Sequence, residues 1–258
     1  MAPSLPPLAE REAGVRQVVG SLYGAPSSKS TVSRDVLAQK EVEGRFGPTD
    51  RKDLTYGEFD IDFFFEMLRV VEPREGEAFI DIGSGCGRLV IAAALLHRWR
   101  LSCGIELLDS LHEMATGDLD RLHAALESDP LLSLAPCLLA HGEAVNLLPQ
   151  VMSIPSDWEE QRSVAFVYAT CWPGTASELP ALSETLASCL AEGSRVITID
   201  KQLVSSTIGE WAWVPLCAPI ERPNRDTHTS LGYAYELKRC AAAAAVAADE
   251  ERRRGMLN

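Results

Sequence analysis

The chain has 258 residues, of which 46% are hydrophobic and 24% charged, proportions that are typical of a globular protein and exclude a wholly disordered chain, a collagen or a coiled coil. Its 24 Lys and Arg face 37 Asp and Glu, which gives a formal net charge of -13. Such an acidic surface repels phosphate, so we do not expect direct nucleic-acid binding, whereas a protein partner with a basic segment is compatible with it.

The 7 cysteines stand singly in the sequence, and none has metal-ligand spacing from another cysteine or from the 5 histidines. We therefore expect no metal site and a reducing compartment. No basic segment followed by an apolar run opens the chain, and no stretch approaches the ~18 apolar residues of a membrane span. The sequence thus predicts an intracellular protein of the cytoplasm or the nucleus, without a membrane segment, and leaves its oligomeric state open.

The first part of the chain shows helical patterns rather than strands. Residues 1–30 are rich in Pro, Ser, Gly and Ala with weak periodicity, so we expect an N-terminal arm that is disordered in part. Residues 31–72 form a second segment. Within it we expect one helix over 31–43 and another over 59–71, closed by Pro73.

The main domain is expected over 73–240, where short apolar strands alternate with helices, before an Ala-rich tail at 241–258. This alternation predicts a parallel sheet with helices on both faces. The last two strands follow each other without a helix, which predicts an antiparallel hairpin at the sheet edge. We expect strands at 77–83, 101–106, 135–143, 163–170, 195–201, 211–220 and 229–239, and helices at 88–99, 107–126 and 177–193.

The strongest chemical signal is the sequence FIDIGSGCG, which ends the first strand of this domain. Ligands bind at the carboxyl ends of strands in doubly wound sheets, and glycines there let backbone N–H groups approach a ligand closely. A dinucleotide-binding loop would place its third glycine at the position of Arg88. The spacing is instead Gly83-x-Gly85-x-Gly87, with Asp81 two residues before the first glycine.

This arrangement resembles motif I of the class I S-adenosylmethionine-dependent methyltransferases. The resemblance implies a Rossmann-like α/β fold with a seven-stranded, mostly parallel sheet and a C-terminal antiparallel hairpin, and S-adenosyl-L-methionine as the cofactor. In that family the acid and the glycine backbone hold the amino-acid moiety and the ribose of the cofactor. The residues that the resemblance places there are Asp81, Gly83, Ser84, Gly85 and Gly87.

Two more acids complete the implied cofactor site. In the family, an acid that ends the second strand accepts both ribose hydroxyls, and Glu106 stands at that position. An acid after the third strand binds the adenine amino group, and Glu143 in His141-Gly142-Glu143 is the candidate. A solvated turn is the alternative interpretation of that tripeptide.

A narrower resemblance covers about residues 50–205 and rests on Tyr56-Gly57-Glu58, IDIGSGCGRLV, the GIE strand and EGSRVI. Together these look like the disruptor-of-telomeric-silencing family, the non-SET histone-lysine methyltransferases. In that family the Tyr-Gly-Glu loop folds over the methionine end of the cofactor and helps to wall the lysine channel. The resemblance therefore assigns Tyr56 and Glu58 to the cofactor and Tyr56 also to the reaction site.

The sequence departs from this family at three points. The family carries an Asn-Asn-Phe-x-Phe stretch after the fourth strand, where this chain has Tyr168-Ala-Thr-Cys-Trp172. Phe59 replaces a small polar residue after Tyr-Gly-Glu, and the basic tract that grips nucleosomal DNA is missing. The resemblance therefore supports the fold and the cofactor more strongly than it supports a histone substrate.

Methyl transfer from a sulfonium needs alignment and a dry channel more than a dedicated base. A lysine acceptor must lose a proton first, and an aromatic channel of Tyr56, Tyr168 and Trp172 would lower its pKa by desolvation. Core or loop packing is the alternative role of Tyr168 and Trp172. We expect a methyltransferase acting on a protein lysine, histone-like in class. The alternatives are a small-molecule or other protein N-methyltransferase, and a catalytically silent cofactor-binding subunit.

Overall fold

The computed structural model describes residues 5–24, 41, 44, 59–126, 134–154, 161–169, 175, 177–204, 207–224 and 228–240. The sites predicted at Tyr56, Glu58 and Trp172 lie outside these residues, as do the tail at 241–258 and most of the helix expected over 31–43. Glu41 is described and is helical.

One mixed sheet forms the centre of the described chain. Its strands are β1 (Ala78–Ile82), β2 (Leu101–Glu106), β3 (Cys137–His141), β4 (Ser163–Tyr168), β5 (Arg195–Ile199), β6 (Trp211–Pro215), β7 (Ile220–Asn224) and β8 (His228–Arg239). Their order in the sheet is β3-β2-β1-β4-β5-β8-β6, with β7 also paired to β8. The first five strands are parallel, and the C-terminal strands are antiparallel, so the predicted Rossmann-like class I methyltransferase fold is confirmed.

The strand expected over 211–220 is divided in two. Both β6 and β7 pair with the edge of β8 that faces away from β5, so the sheet keeps seven positions although eight strands are described. Between the pairs Pro215↔Tyr235 and Ile220↔Gly232, the outer strand has more residues than β8 has opposite them. The surplus bulges out, and Pro219 within it has no N–H to offer the ladder.

The described helices are α1 (Leu8–Tyr23), α2 (Ile61–Val71), α3 (Arg88–Leu96), α4 (Asp109–Leu126), α5 (Ala144–Met152) and α6 (Pro180–Cys189). None of them is both long enough and apolar enough to cross a membrane. Of the predicted helices in the domain, three appear as α3, α4 and α6, while α5 was not predicted, because its Pro149 is a residue typical of helix ends.

The N-terminal arm contains a helix over Leu8–Tyr23, which the sequence analysis did not predict, and the partial disorder expected of the arm stays a prediction. Its buried side chains Val15, Val19 and Tyr23 recur every four residues and pack into the core beside α2 and α3. The pattern is weak in sequence because only this narrow stripe is buried. The domain boundaries proposed from the sequence stay a prediction.

The core lies in two layers, one on each face of the sheet. Every residue of β1 is buried, and successive side chains of a strand point to opposite faces. Phe79 packs with α1, α2 and α3, whereas Ile80 and Ile82 pack with α5 and α6. The helices thus cover both faces and leave the carboxyl ends of the strands for the loops.

A buried ion pair lies at the end of the sheet where the parallel strands begin, opposite to their carboxyl ends. The Arg195 guanidinium donates to both carboxylate oxygens of Glu77, at 2.7 and 2.6 Å, and its Nε donates to the carbonyl of Val71 at 2.9 Å. Glu77 is fully buried, so the pair links β5, the end of α2 and the segment before β1.

Candidate functional site

The glycine loop forms a tight turn between β1 and α3. Gly83, Gly85 and Gly87 have φ values of 78°, 54° and 78°, in the left-handed region that favours glycine. The N–H groups of Gly83 and Ser84 both donate to the carbonyl of Ile105, at 2.9 and 3.1 Å. The loop is therefore held against the carboxyl end of β2.

Glu106 closes the loop from the next strand. One carboxylate oxygen accepts the N–H of Gly85 at 2.7 Å, and the other accepts the N–H of Leu108 at 2.8 Å. Burial raises the pKa of Glu106, and these backbone donors oppose the rise. Leu107 is a third backbone donor to this carboxylate, which has about four acceptor positions, so Glu106 can still accept a hydroxyl group from a ligand.

Asp81 lies buried in β1, with 3% of its surface exposed. Burial, together with the charge of Glu106, raises the pKa of Asp81 to about 8. The carboxyl is thus largely protonated at neutral pH, and a cationic ligand group placed beside it would favour the ionised form.

Gly104 is a residue of the site that sequence reasoning missed. It pairs with Asp81 across the strands, and a Cβ at Gly104 would lie 2.7 Å from both Ser84 Oγ and Val90 Cγ2. Only glycine at this position lets the loop and the start of α3 approach β2 so closely. Its sequence signal is a single glycine in the interior of a strand.

The carboxyl end of β3 lies beside the carboxyl end of β2. His141 pairs with Glu106, and the N–H of Gly142 donates to the Glu106 carbonyl at 2.8 Å. Glu143 follows at the start of α5, exposed, with its carboxylate accepting the Asn146 side-chain amide at 2.9 Å. Its assignment to adenine stays a prediction.

A cavity of about 520 Å³ lies near the ends of β2 and β3, and its lining includes His141 and the first turn of α4. The carboxylate of Glu41 reaches this turn and accepts the N–H groups of Asp109 and Ser110, each at 2.8 Å. Glu41 is thereby attached to the end of the sheet where β2 and β3 finish. The lining residues are Glu41, Asp109, Ser110, Glu113 and His141.

Aromatic rings gather at the end of β4. The ring of Phe59 lies 5.1 Å from that of Tyr168 and 5.2 Å from that of Phe166, and the Phe59 carbonyl accepts the Arg88 guanidinium at 2.8 Å. Tyr168 is half-buried there. Phe59 is thereby attached beside β4 and the start of α3.

The last residue of α1 also contacts the glycine loop. The hydroxyl of Tyr23 donates to the carbonyl of Cys86 at 3.2 Å, and Tyr23 is fully buried. Sequence reasoning missed this contact, because it joins residues of the arm and of the loop that no local pattern relates.

Residues 49–128 match the family described as "Histone methylation protein DOT1". Over 74 residues the chain is 35% identical to the H3 lysine-79 specific histone-lysine N-methyltransferase of Kluyveromyces lactis, a match that covers 29% of this chain and 13% of that protein. The resemblance to the disruptor-of-telomeric-silencing family is therefore confirmed over this part of the chain, which includes the glycine loop and Glu106.

Solved structures with similar coordinates include methyltransferases. An RNA methyltransferase from Salinibacter ruber, in complex with S-adenosyl-L-homocysteine, aligns with a TM-score of 0.43 at 19% identity, over 70% of this chain and 94% of that chain. A methyltransferase from Thiobacillus denitrificans, in complex with the same compound, aligns with a TM-score of 0.43 at 12% identity, over 78% and 97% of the two chains.

Proposed function

We propose that this chain is an S-adenosylmethionine-dependent methyltransferase that modifies a lysine side chain of a histone-like protein. The observation that carries the proposal is the glycine loop, closed by the hydrogen bond from Gly85 to Glu106 beside the buried Asp81. The family match over residues 49–128 supports the same interpretation.

The described residues fit the charge of the cofactor and allow its close approach to the loop backbone. Its methionine end carries an ammonium and a sulfonium, which two neighbouring acids, Asp81 and Glu106, would stabilise. Its ribose would bind the remaining acceptor position of Glu106, with Glu143 at the adenine. The backbone of Gly83, Ser84, Gly85 and Gly87 would face the amino-acid moiety, and at the three glycines no side chain separates it from the ligand.

When bound, S-adenosylmethionine supplies an electrophilic methyl group and leaves as S-adenosylhomocysteine. The contribution of the chain is to align the acceptor nitrogen and to keep water out. The rings of Phe59, Phe166 and Tyr168 form an apolar cluster at the end of β4, in which Phe59 and Phe166 are buried and Tyr168 is half-buried. We propose that Tyr56 and Trp172 complete it, so that an incoming lysine loses its solvation and its pKa falls below the usual value of about 10.4.

The class of protein substrate is a separate part of the proposal. A net charge of -13 suits a basic segment better than nucleic acid. A histone substrate would place the protein in the nucleus. Since the match spans 13% of the relative from Kluyveromyces lactis, the activity of that whole protein is assigned to this chain only as a proposal.

Calorimetric titration with S-adenosylmethionine and S-adenosylhomocysteine tests the cofactor. We expect both to bind the wild-type chain, Asp81→Ala and Gly85→Asp to weaken binding about tenfold or more, and Glu75→Gln to leave it unchanged. Glu75 is an exposed acid that precedes β1, whereas the loop follows β1, so the two lie at opposite ends of the strand. This variant therefore controls for the loss of one negative charge. Unchanged affinity in Gly85→Asp would contradict the proposal.

Transfer of a labelled methyl group tests the acceptor. Nucleosomes, free histones, a histone tail peptide and a set of small amines should be compared, each with the wild-type chain and with Asp81→Ala. Label on lysine in a histone supports the proposal. Label only on small amines favours a small-molecule N-methyltransferase, and cofactor binding without transfer to any acceptor in a cell extract favours a silent partner subunit.

A further inference from the structure

We infer that Tyr23 is a positioning residue of the cofactor site, because its hydroxyl holds the glycine loop in the conformation that the ligand needs. The inference rests on the proposed function for its ligand, whereas the contact itself belongs to the fold. It gives α1 a role that neither the glycine motif nor the family match, which begins at residue 49, includes.

The contact fixes one peptide group of the loop from both sides. The carbonyl of Cys86 and the N–H of Gly87 belong to the same planar unit. Tyr23 donates to this carbonyl at 3.2 Å, and the N–H donates to the carbonyl of Ser84 at 2.9 Å. Rotation of the unit would therefore break two hydrogen bonds together.

The loop needs such support because its glycines permit many backbone conformations. Gly85 and Gly87 flank Cys86, and both adopt positive φ. A residue without Cβ does not restrict φ and ψ strongly, so contacts from outside the loop must select the conformation. Glu106 does this for the N–H of Gly85, and Tyr23 does it for the peptide after Cys86.

Helix α1 is itself fixed to the domain, so that its last residue has a defined position. The carboxylate of Glu12 pairs with Arg69 on α2, and the Arg11 guanidinium donates to the carbonyl of Leu96 at the end of α3. Arg16 donates to Asp62 at 2.7 Å. With the buried Val15 and Val19 beneath them, these contacts make α1 part of the support of the loop rather than a separate arm.

The substitution Tyr23→Phe removes the hydroxyl and keeps the ring, so it tests the hydrogen bond without opening a cavity. Val15→Ala is the matched control, because Val15 is buried on the same face of α1, about 12 Å nearer its start. Thermal unfolding and circular dichroism should confirm that both variants fold, and we expect Val15→Ala to lose at least as much stability.

Two measurements separate positioning from general support. We expect Tyr23→Phe to raise the Kd of S-adenosylmethionine and of S-adenosylhomocysteine about threefold to tenfold, and to leave the KM of the acceptor unchanged. Hydrogen exchange, followed by mass spectrometry without ligand, should be faster in the peptide covering 83–88 of Tyr23→Phe. In Val15→Ala both quantities should stay near the wild-type values.

The outcomes are distinct. A Kd within twofold of wild type with unchanged exchange in Tyr23→Phe would overturn the inference, and so would an equal loss of affinity in Val15→Ala. A wild-type chain that binds neither compound would overturn the proposed function, and the exchange comparison alone would then decide whether Tyr23 holds the loop.

Discussion

The N–H of Gly85 donates to the carboxylate of Glu106 at 2.7 Å, so the acid that ends β2 closes the glycine loop that follows β1. Glu106 thus has two tasks in the proposed site, since the carboxylate that would bind the ribose also sets the shape of the loop. These tasks can be separated, because the side chains of Gln and Ala remove different parts of the interaction.

We expect Glu106→Gln to weaken cofactor binding about tenfold and Glu106→Ala about a hundredfold or more. Gln keeps one acceptor oxygen for the Gly85 N–H and loses the charge, whereas Ala loses both acceptors, and a hydrogen bond to a charged group is worth ~1.5–3 kcal/mol. Calorimetry measures both affinities, with Glu75→Gln as the control for net charge. Equal effects of the two substitutions would show that the loop does not depend on Glu106.

The contribution of Asp81 to the stability of the unliganded chain should fall as the pH rises from about 4 to about 8. The pKa of Asp81 is raised to about 8 from an ordinary value near 3.8, so over this range the unfolded chain has released a proton that the folded chain keeps. The loss is at most ~1.4 kcal/mol per pH unit for one proton. Asp81→Asn cannot ionise, and we expect it to flatten this dependence.

Urea unfolding at pH 5, 6.5 and 8 measures the effect. The free energy of unfolding of Asp81→Asn should exceed that of wild type most clearly at pH 8 and approach it at pH 5, even though its affinity for the cofactor is lower. A variant whose stability parallels that of wild type at all three pH values would mean that the carboxyl is already ionised in the folded chain.

Glycine is required at 104 but not at 117. In Gly104→Ala the new Cβ would lie 2.7 Å from Ser84 Oγ, so the loop must shift, and we expect lower stability together with weaker cofactor binding. Gly117 lies within α4, and its nearest contact would be 3.9 Å away, at the far end of the Arg121 side chain, so Gly117→Ala should raise stability by up to ~1 kcal/mol. Thermal unfolding and calorimetry of both variants test this contrast.

The residues of the loop could be predicted because their signal is local. A buried strand, an acid and three glycines lie within nine consecutive positions, and Glu106 ends the next strand. The order of strands and helices likewise follows from short patterns, which is why the fold was predicted correctly. The side-chain geometry of Glu143 could not be predicted in this way, since its carboxylate bonds to Asn146 through a rotamer that the sequence does not specify.

The features that sequence reasoning missed depend on contacts between distant parts of the chain. Tyr23 and Cys86 meet only because α1 packs on α3, and α1 buries a stripe too narrow to give a strong periodicity. The division of β6 from β7 is likewise set by their register on β8. Each of these outcomes needs the tertiary structure, because no window of the sequence contains both partners.

The buried pair of Glu77 and Arg195 should affect stability without affecting the proposed site. Glu77→Gln leaves the Arg195 charge buried with a neutral partner, and breaking a buried pair in this way costs ~3–5 kcal/mol. The pair lies before β1 and at the start of β5, where the parallel strands begin, and the glycine loop lies at their other end. We therefore expect a large loss in the free energy of urea unfolding, and an unchanged Kd for S-adenosylhomocysteine at a temperature where the variant is folded. A higher Kd in this variant would show that the two ends of the parallel strands are coupled. The same control would then be required for every affinity change ascribed to the loop.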